Sequence, residues 1–226
     1  MSFFRQALTV AAKDLRSELR TKEALNSSVA FALVILLLFG FAFEPTEEQT
    51  RQIAGGLLWL VFAFAGALIL NRSFARELTN DCLDALVAAP LSGAALFLGK
   101  AFANFVLLLT VELISLPVFG VFYDVNWTRQ LGPLMLVVLL ATWGLTVVGT
   151  LFSALTVNLR LRELMLPMLV YPVMVPALLA AIQLTSPLVM GAPLDAGLML
   201  WLRLLTAFDI IFTALTLTLV ETVLVR

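Results

Sequence analysis

The chain is 226 residues long, 62% hydrophobic and only 13% charged, with a formal net charge of −1. A soluble domain carries about a quarter charged residues, whereas here apolar runs of about twenty residues recur, the length that crosses a bilayer core as a helix. The composition therefore describes a polytopic membrane protein, gives no charge-based sign of a nucleic-acid partner, and, with a single cysteine and no histidine, excludes an internal disulfide and removes the commonest metal ligand and near-neutral general base.

The first 28 residues are polar and amphipathic and lack the short apolar core and cleavage site of a signal peptide. Residues 2–23 read as a helix in which Phe4, Leu8, Ala11, Leu15 and Leu19 share one stripe, with Arg5, Lys13, Arg16 and Arg20 beside it. Such a helix suits the membrane interface, apolar side down and basic side toward lipid phosphates; the alternative is a soluble leader packed on a partner. Six spans follow, at about 25–43, 53–70, 101–122, 131–157, 164–184 and 197–224. Glu44-Pro45 breaks the first, and Glu47 and Glu48 make the next loop acidic. Trp127 falls where an interfacial aromatic belongs. Gly149 and Ser153, four apart in span four, form a small face that admits another helix closely. Span five holds Pro167, Pro172 and Pro176, so it is expected to be kinked and packed inside the bundle. Residues 187–195 read as an outer loop, and span six carries Arg203 and Asp209.

Lysine and arginine counts orient the chain. Eleven fall on one side (five N-terminal, three in 71–100, two in 158–163, one C-terminal) and three on the other, Arg51, Arg129 and Arg203. Six spans with both termini in the cytoplasm fit, and the charged stretch Asn71–Lys100 lands there too. Read as a helix ended by Ala89-Pro90, residues 72–89 place Phe74, Leu78, Cys82, Ala85, Leu86 and Ala89 on one arc, while Leu83 and Val87 sit among the polar Arg76, Glu77, Asn80 and Asp84. Aliphatics on both faces suit a helix held by its own bundle on one side and a partner groove on the other; a solvated loop helix is the plainer alternative.

The chain carries no motor of its own. Gly93 to Lys100-Ala101 is the nearest approach to a phosphate-binding loop, but five residues separate Gly93 from Gly99, and Ala101 replaces the hydroxyl that would hold magnesium. Glu112 and Asp209 are intramembrane carboxylates; they either line a pathway or make structural hydrogen bonds to groups such as Asn104. Met165, Met168 and Met174 around Tyr171 can fill gaps or contact a flat apolar ligand. No metal cluster, nucleotide loop or nucleophile–base pair is present, so the chain reads as non-catalytic.

The order of elements, with Arg76-Glu77, the Leu83–Leu86 pair, Ala89-Pro90-Leu91 and Lys100 at span three, resembles the permeases of ABC-2 type transporters. More narrowly, Gly55-Gly56-Leu57-Leu58-Trp59, Pro193-Leu194-Asp195 and the 71–100 stretch resemble the CcmB family, the B subunit of the cytochrome c maturation haem exporter. It departs from that family at Cys82, often glycine there, and at Arg203, where a small or apolar residue is usual. The resemblance implies a coupling helix over 72–89 that docks on an ATPase through Arg76, Glu77, Leu83, Leu86, Val87 and Pro90. It also implies ATP and magnesium on that partner, haem handled by partner subunits and no cofactor on this chain. Implied partners are a haem-handling membrane subunit (CcmC-like), a small one-span subunit (CcmD-like) and a periplasmic haem chaperone (CcmE-like) met through Asp195, with membrane lipid around the bundle. The implied setting is the bacterial inner membrane. The implied role is to couple ATP hydrolysis to haem delivery or chaperone release. Alternatives are an ABC-2 exporter of a lipid-linked or amphipathic molecule, with a cavity lined by Glu112 and Asp209, and a stand-alone proton-coupled carrier using the same carboxylates.

Overall fold

The computed structural model describes residues 2–42, 48–74, 92–125, 127–157, 159 and 161–224, with backbone alone at 48–52 and 221–224. Among the described residues are seven helices and no strand: α1 Phe3–Thr21, α2 Glu23–Ala42, α3 Glu48–Ser73, α4 Gly93–Phe122, α5 Leu131–Thr156, α6 Arg162–Val189 and α7 Ala196–Leu224. The last six each contain a stretch long and apolar enough to cross a bilayer. The fold is an all-α, six-span membrane bundle, the class expected from the sequence. Helices are the natural solution in hydrocarbon, because each satisfies its own backbone polar groups.

α5 is the axis, packed against α3, α4, α6 and α7, with Val137, Val138, Ala141, Leu145 and Val148 in the core. Small residues bring its neighbours close. A Cβ added to Gly149 would collide with the Leu70 side chain, and Ser153 Oγ donates to the Leu70 carbonyl at 2.8 Å. The small face at 149 and 153 thus receives α3. A similar seat joins α3 to α6. Gly55 leaves room for Ser186, and one turn further Trp59 Nε1 donates to Thr185 Oγ1 at 2.9 Å.

Boundaries of three helices differ from expectation. α3 starts at Glu48 rather than Ile53, so Glu48 belongs to a helix and not to the acidic loop, and it runs through Ser73, so Arg72 and Ser73 form its last turn rather than the start of the helix expected over 72–89. α4 starts at Gly93 rather than Ala101. Ser92 caps it, its Oγ accepting from the Ala95 amide at 3.2 Å, and the charge of Lys100 does not end the apolar run because its ammonium is partnered inside the bundle. α6 continues past Leu184 to Val189 with Pro167, Pro172, Pro176 and Pro187 all inside it. Buried Leu184, Thr185, Leu188 and Val189 hold its last turns against the bundle, so Pro187 belongs to the helix rather than to the loop.

Contacts sort the bundle into two ends. At one, Tyr123 is buried and its hydroxyl donates to the Leu36 carbonyl at 3.2 Å; burial pushes that phenol up to about 12, so it remains a donor. Trp127 lies where a Cβ on Gly120 would stand, and Arg129 covers Gly191, which has φ +81. At the other end, Arg72 Nη1 meets Glu23 Oε2 at 2.7 Å, joining the last turn of α3 to the first of α2.

α1 has three faces. Val10, Ala11 and Glu18 are buried toward the bundle, with Ala7 and Asp14 half-buried, and α4 is the main neighbour. Phe4, Leu8 and Leu19 remain exposed. Arg5, Lys13, Arg16 and Arg20 form a third, outward side. The single apolar stripe expected from the sequence is therefore divided: Ala11 and the half-buried Leu15 serve the bundle, while Phe4, Leu8 and Leu19 point away from it. A glycine makes this possible, since a Cβ on Gly99 of α4 would stand 2.6 Å from the Ala7 carbonyl oxygen and 2.7 Å from Val10 Cβ.

Candidate functional site

The polar groups converge where the 75–91 segment leaves α3 and returns to α4. Lys100, two turns into α4, has a side chain with no solvent exposure. Its Nζ lies 3.1 Å from Asp14 Oδ2 on α1 and donates to the Ser73 carbonyl at 2.9 Å. The same ammonium sits 4.6 Å from the centroid of the Phe74 ring. A buried cation is tolerable only when paired and hydrogen-bonded. Here the carboxylate comes from one helix and the carbonyl from the free C-terminal end of another, where the helix dipole is negative.

One turn further along α4, Asn104 Nδ2 donates to Ser73 Oγ and to Thr150 Oγ1, both at 2.9 Å. Ser73 is thus held by backbone and side chain. Close by, Glu18 is buried and its Oε1 accepts the Leu25 amide at 2.9 Å, fixing the corner between α1 and α2. Both roots of the segment are therefore tied to α1, α4 and α5. Breaking a fully buried pair by removing one member costs on the order of 3–5 kcal/mol; in Lys100–Asp14 only the lysine is fully buried, so the cost falls below that.

The residues expected to dock a partner, Arg76, Glu77, Leu83, Leu86, Val87 and Pro90, lie outside the described residues, as do Cys82 and Arg160. Of the intramembrane polar groups, Asn104 joins the root cluster. Glu112 does not: it is buried, its Oε2 accepts from Thr142 Oγ1 at 2.6 Å, and its Oε1 has no hydrogen-bond partner. Asp209 is also buried, with neither oxygen hydrogen-bonded, and a Cβ on Gly144 would lie 2.5 Å from its Oδ1. Thr142 and Gly144 are two residues apart, about 200° around α5. The two carboxylates therefore meet α5 on different faces. Asp195 caps α7, its Oδ1 accepting the Leu198 amide at 2.8 Å, which gives it a local structural task. Met174 is a core residue while Met168 is exposed, and the Tyr171 hydroxyl donates to the Ala63 carbonyl at 3.3 Å.

Sequence reasoning missed Asp14, Ser73, Thr142 and Thr150. For Asp14 a signal was present. In a helix whose cations gather on one side, Asp14 and Glu18 lie on the other, beside Val10 and Ala11, which is where acidic groups go when they face partners inside a fold. The threonines had none, since they are common in apolar helices as donors to their own backbone, as Thr146 is to the Thr142 carbonyl.

Comparison with known proteins places this arrangement in a family. The family model described as CcmB protein matches residues 5–222. The chain is 34% identical to Heme exporter protein B of Rhodobacter capsulatus over 76% of its own length and 78% of that protein's. It is 28% identical to the protein of the same name in Pseudomonas aeruginosa, over 89% and 90% of the two chains, and 27% identical to that of Escherichia coli, over 82% and 84%.

Proposed function

This chain belongs to the CcmB protein family, and from that premise we propose that it is the permease subunit of an ABC-type haem exporter, working in the bacterial inner membrane with both termini in the cytoplasm. The part of the expected 72–89 helix that follows α3 is the coupling helix for a separate ATPase, which binds ATP and magnesium. Arg76, Glu77, Leu83, Leu86, Val87 and Pro90 supply the docking surface. The chain itself is not catalytic. It transmits nucleotide-driven motion through the bundle to haem-handling partners: a haem-handling membrane subunit, a small one-span subunit and a periplasmic haem chaperone, with Asp195 near the contact. α1 lies at the membrane interface, with exposed Phe4, Leu8 and Leu19 toward acyl chains and its cations toward lipid phosphates.

The observation that carries this reading is the construction of the segment's roots. A merely solvated loop needs no buried lysine and asparagine at its base, nor a half-buried aspartate set against the lysine. A loop that receives force does, because force applied at 75–91 passes to the bundle only if α3 and α4 are fixed to one another there. A transport path lined jointly by Glu112 and Asp209 finds less support, since the two face different sides of α5. The haem-handling role rests on the kinship with proteins named for haem export. The lack of histidine favours a mechanical part over ligation of haem iron by this chain.

The test is purification of the chain from its native membrane, with the accompanying subunits identified, followed by Leu83→Asp and Arg76→Glu. Both variants should stay in the membrane, retain the bundle, and lose ATP-dependent release of the haem-loaded chaperone. Release at the parental rate in both would defeat the coupling role.

A further inference from the structure

The cluster at the root contains more than a static fastening requires. Lys100 makes three contacts on two separate parts of the chain: the Asp14 carboxylate on α1, and, at the end of α3, the terminal carbonyl at Ser73 and the ring of Phe74, the last described residue before the segment. Ser73 is in turn gripped by Asn104, itself bonded to Thr150 on the central helix. Rotation or translation of the segment reaches Ser73 and Phe74 first. Those groups are joined to the Lys100 ammonium, and Lys100 in turn is joined to the Asp14 carboxylate at 3.1 Å, so a displacement of Ser73 and Phe74 is passed to α1 through it. α1 meets α2 at the corner that Glu18 fixes. Its contacts outside α4 are few, and its outer faces are exposed.

We propose that Lys100 is a positioning residue that makes α1 move with the 75–91 segment, so that the N-terminal helix is a driven part of the machine rather than a passive anchor. This rests on the reading of that segment as the ATPase-docking element. The experiment therefore reads docking and α1 movement separately.

The complex with its ATPase is prepared in lipid nanodiscs with Cys82→Ser as background. Spin labels are placed at the exposed positions Leu8 on α1 and Leu169 on α6, each changed to cysteine. Pulsed EPR distances are compared between the nucleotide-free complex and the complex trapped with ATP, magnesium and vanadate. The parent and Lys100→Arg should show a nucleotide-dependent shift of the α1 label. Lys100→Met should lose that shift and release the haem chaperone more slowly, while the ATPase still co-purifies and still hydrolyses ATP. Asp14→Asn, altered at the partly exposed partner, carries the same expectation if Lys100→Met does not fold. A stationary α1 label in the parent with a bound, active ATPase overturns the inference and leaves the docking role standing; so does an undiminished shift in Lys100→Met or Asp14→Asn. An ATPase that binds none of the forms overturns both.

Discussion

The seat of α1 on α4 depends on one missing side chain. In Gly99→Ala the new methyl carbon would stand 2.6 Å from the Ala7 carbonyl oxygen and 2.7 Å from Val10 Cβ. Neither atom can swing away, since the first is backbone and the second is fixed to it. Restoring ordinary contact requires α1 to retreat by about 0.8 Å. Such a retreat stretches the Lys100–Asp14 contact from 3.1 Å to roughly 3.9 Å, beyond hydrogen-bond range. Two effects then oppose each other. Alanine gains up to about 1 kcal/mol of helix propensity over glycine, while overpacking costs about 1–3 kcal/mol and weakening the buried ion pair adds to it. The net expectation is a loss of roughly 1–3 kcal/mol from the docking of α1.

Local opening of α1 can be read chemically. Val10 is 5% exposed, so a cysteine placed there, with Cys82→Ser as background, is shielded from maleimide while α1 is docked. At about tenfold per 1.4 kcal/mol, Gly99→Ala should label roughly 5- to 150-fold faster. Gly132→Ala is the control, a helical glycine with nothing within 4 Å of an added Cβ. It should label at the parental rate. Equal labelling in the two variants would refute the close seat and the placement of α1 built on it.

Two further outcomes follow from buried polar contacts. Trp59→Phe removes the indole donor to Thr185; a double-mutant cycle with Thr185→Val, read by unfolding in mixed micelles, should give a coupling of about 0.6–2 kcal/mol, and a coupling of zero would mean that α3 and α6 are joined by shape alone. Glu112→Gln keeps an acceptor for Thr142 at the same volume and should leave melting and chaperone release close to the parent, whereas Glu112→Ala should lose about 2–5 kcal/mol through the cavity and the lost bond. A Gln variant that melts normally but no longer supports release would instead give the carboxylate a part in moving protons or ions.

Much of the architecture was legible because a bilayer imposes it. Runs of about twenty apolar residues must be helices there, and the small residues Gly149 and Ser153 advertised a close neighbour that proved to be α3. The start of α4 was hidden for a physical reason. A lysine inside an apolar run is read as a boundary because an unpaired ammonium is costly in hydrocarbon, and the sequence does not say that Asp14, 86 residues earlier, will supply the missing charge. The same long-range pairing concealed the division of α1. Periodicity assigns an apolar stripe but not whether lipid or protein covers it, and that depends on Gly99, whose importance lies in a carbonyl on a distant helix.

These two blind spots are one feature of the molecule. Gly99 and Lys100 are adjacent on α4: the first removes the Cβ that would hold α1 away, and the second supplies the charge that holds Asp14 in place. Close approach without Asp14 would take a carboxylate from a buried ammonium, and the ion pair without close approach would be too long to form. The pair also lies beside Ser73, at the root of the segment assigned to the ATPase. Enlarging Gly99 and neutralising Lys100 should therefore act on the same step, and Gly99→Ala combined with Lys100→Met should be less than additive in freeing α1. Additive effects on Val10 cysteine labelling would mean that shape and charge hold α1 independently.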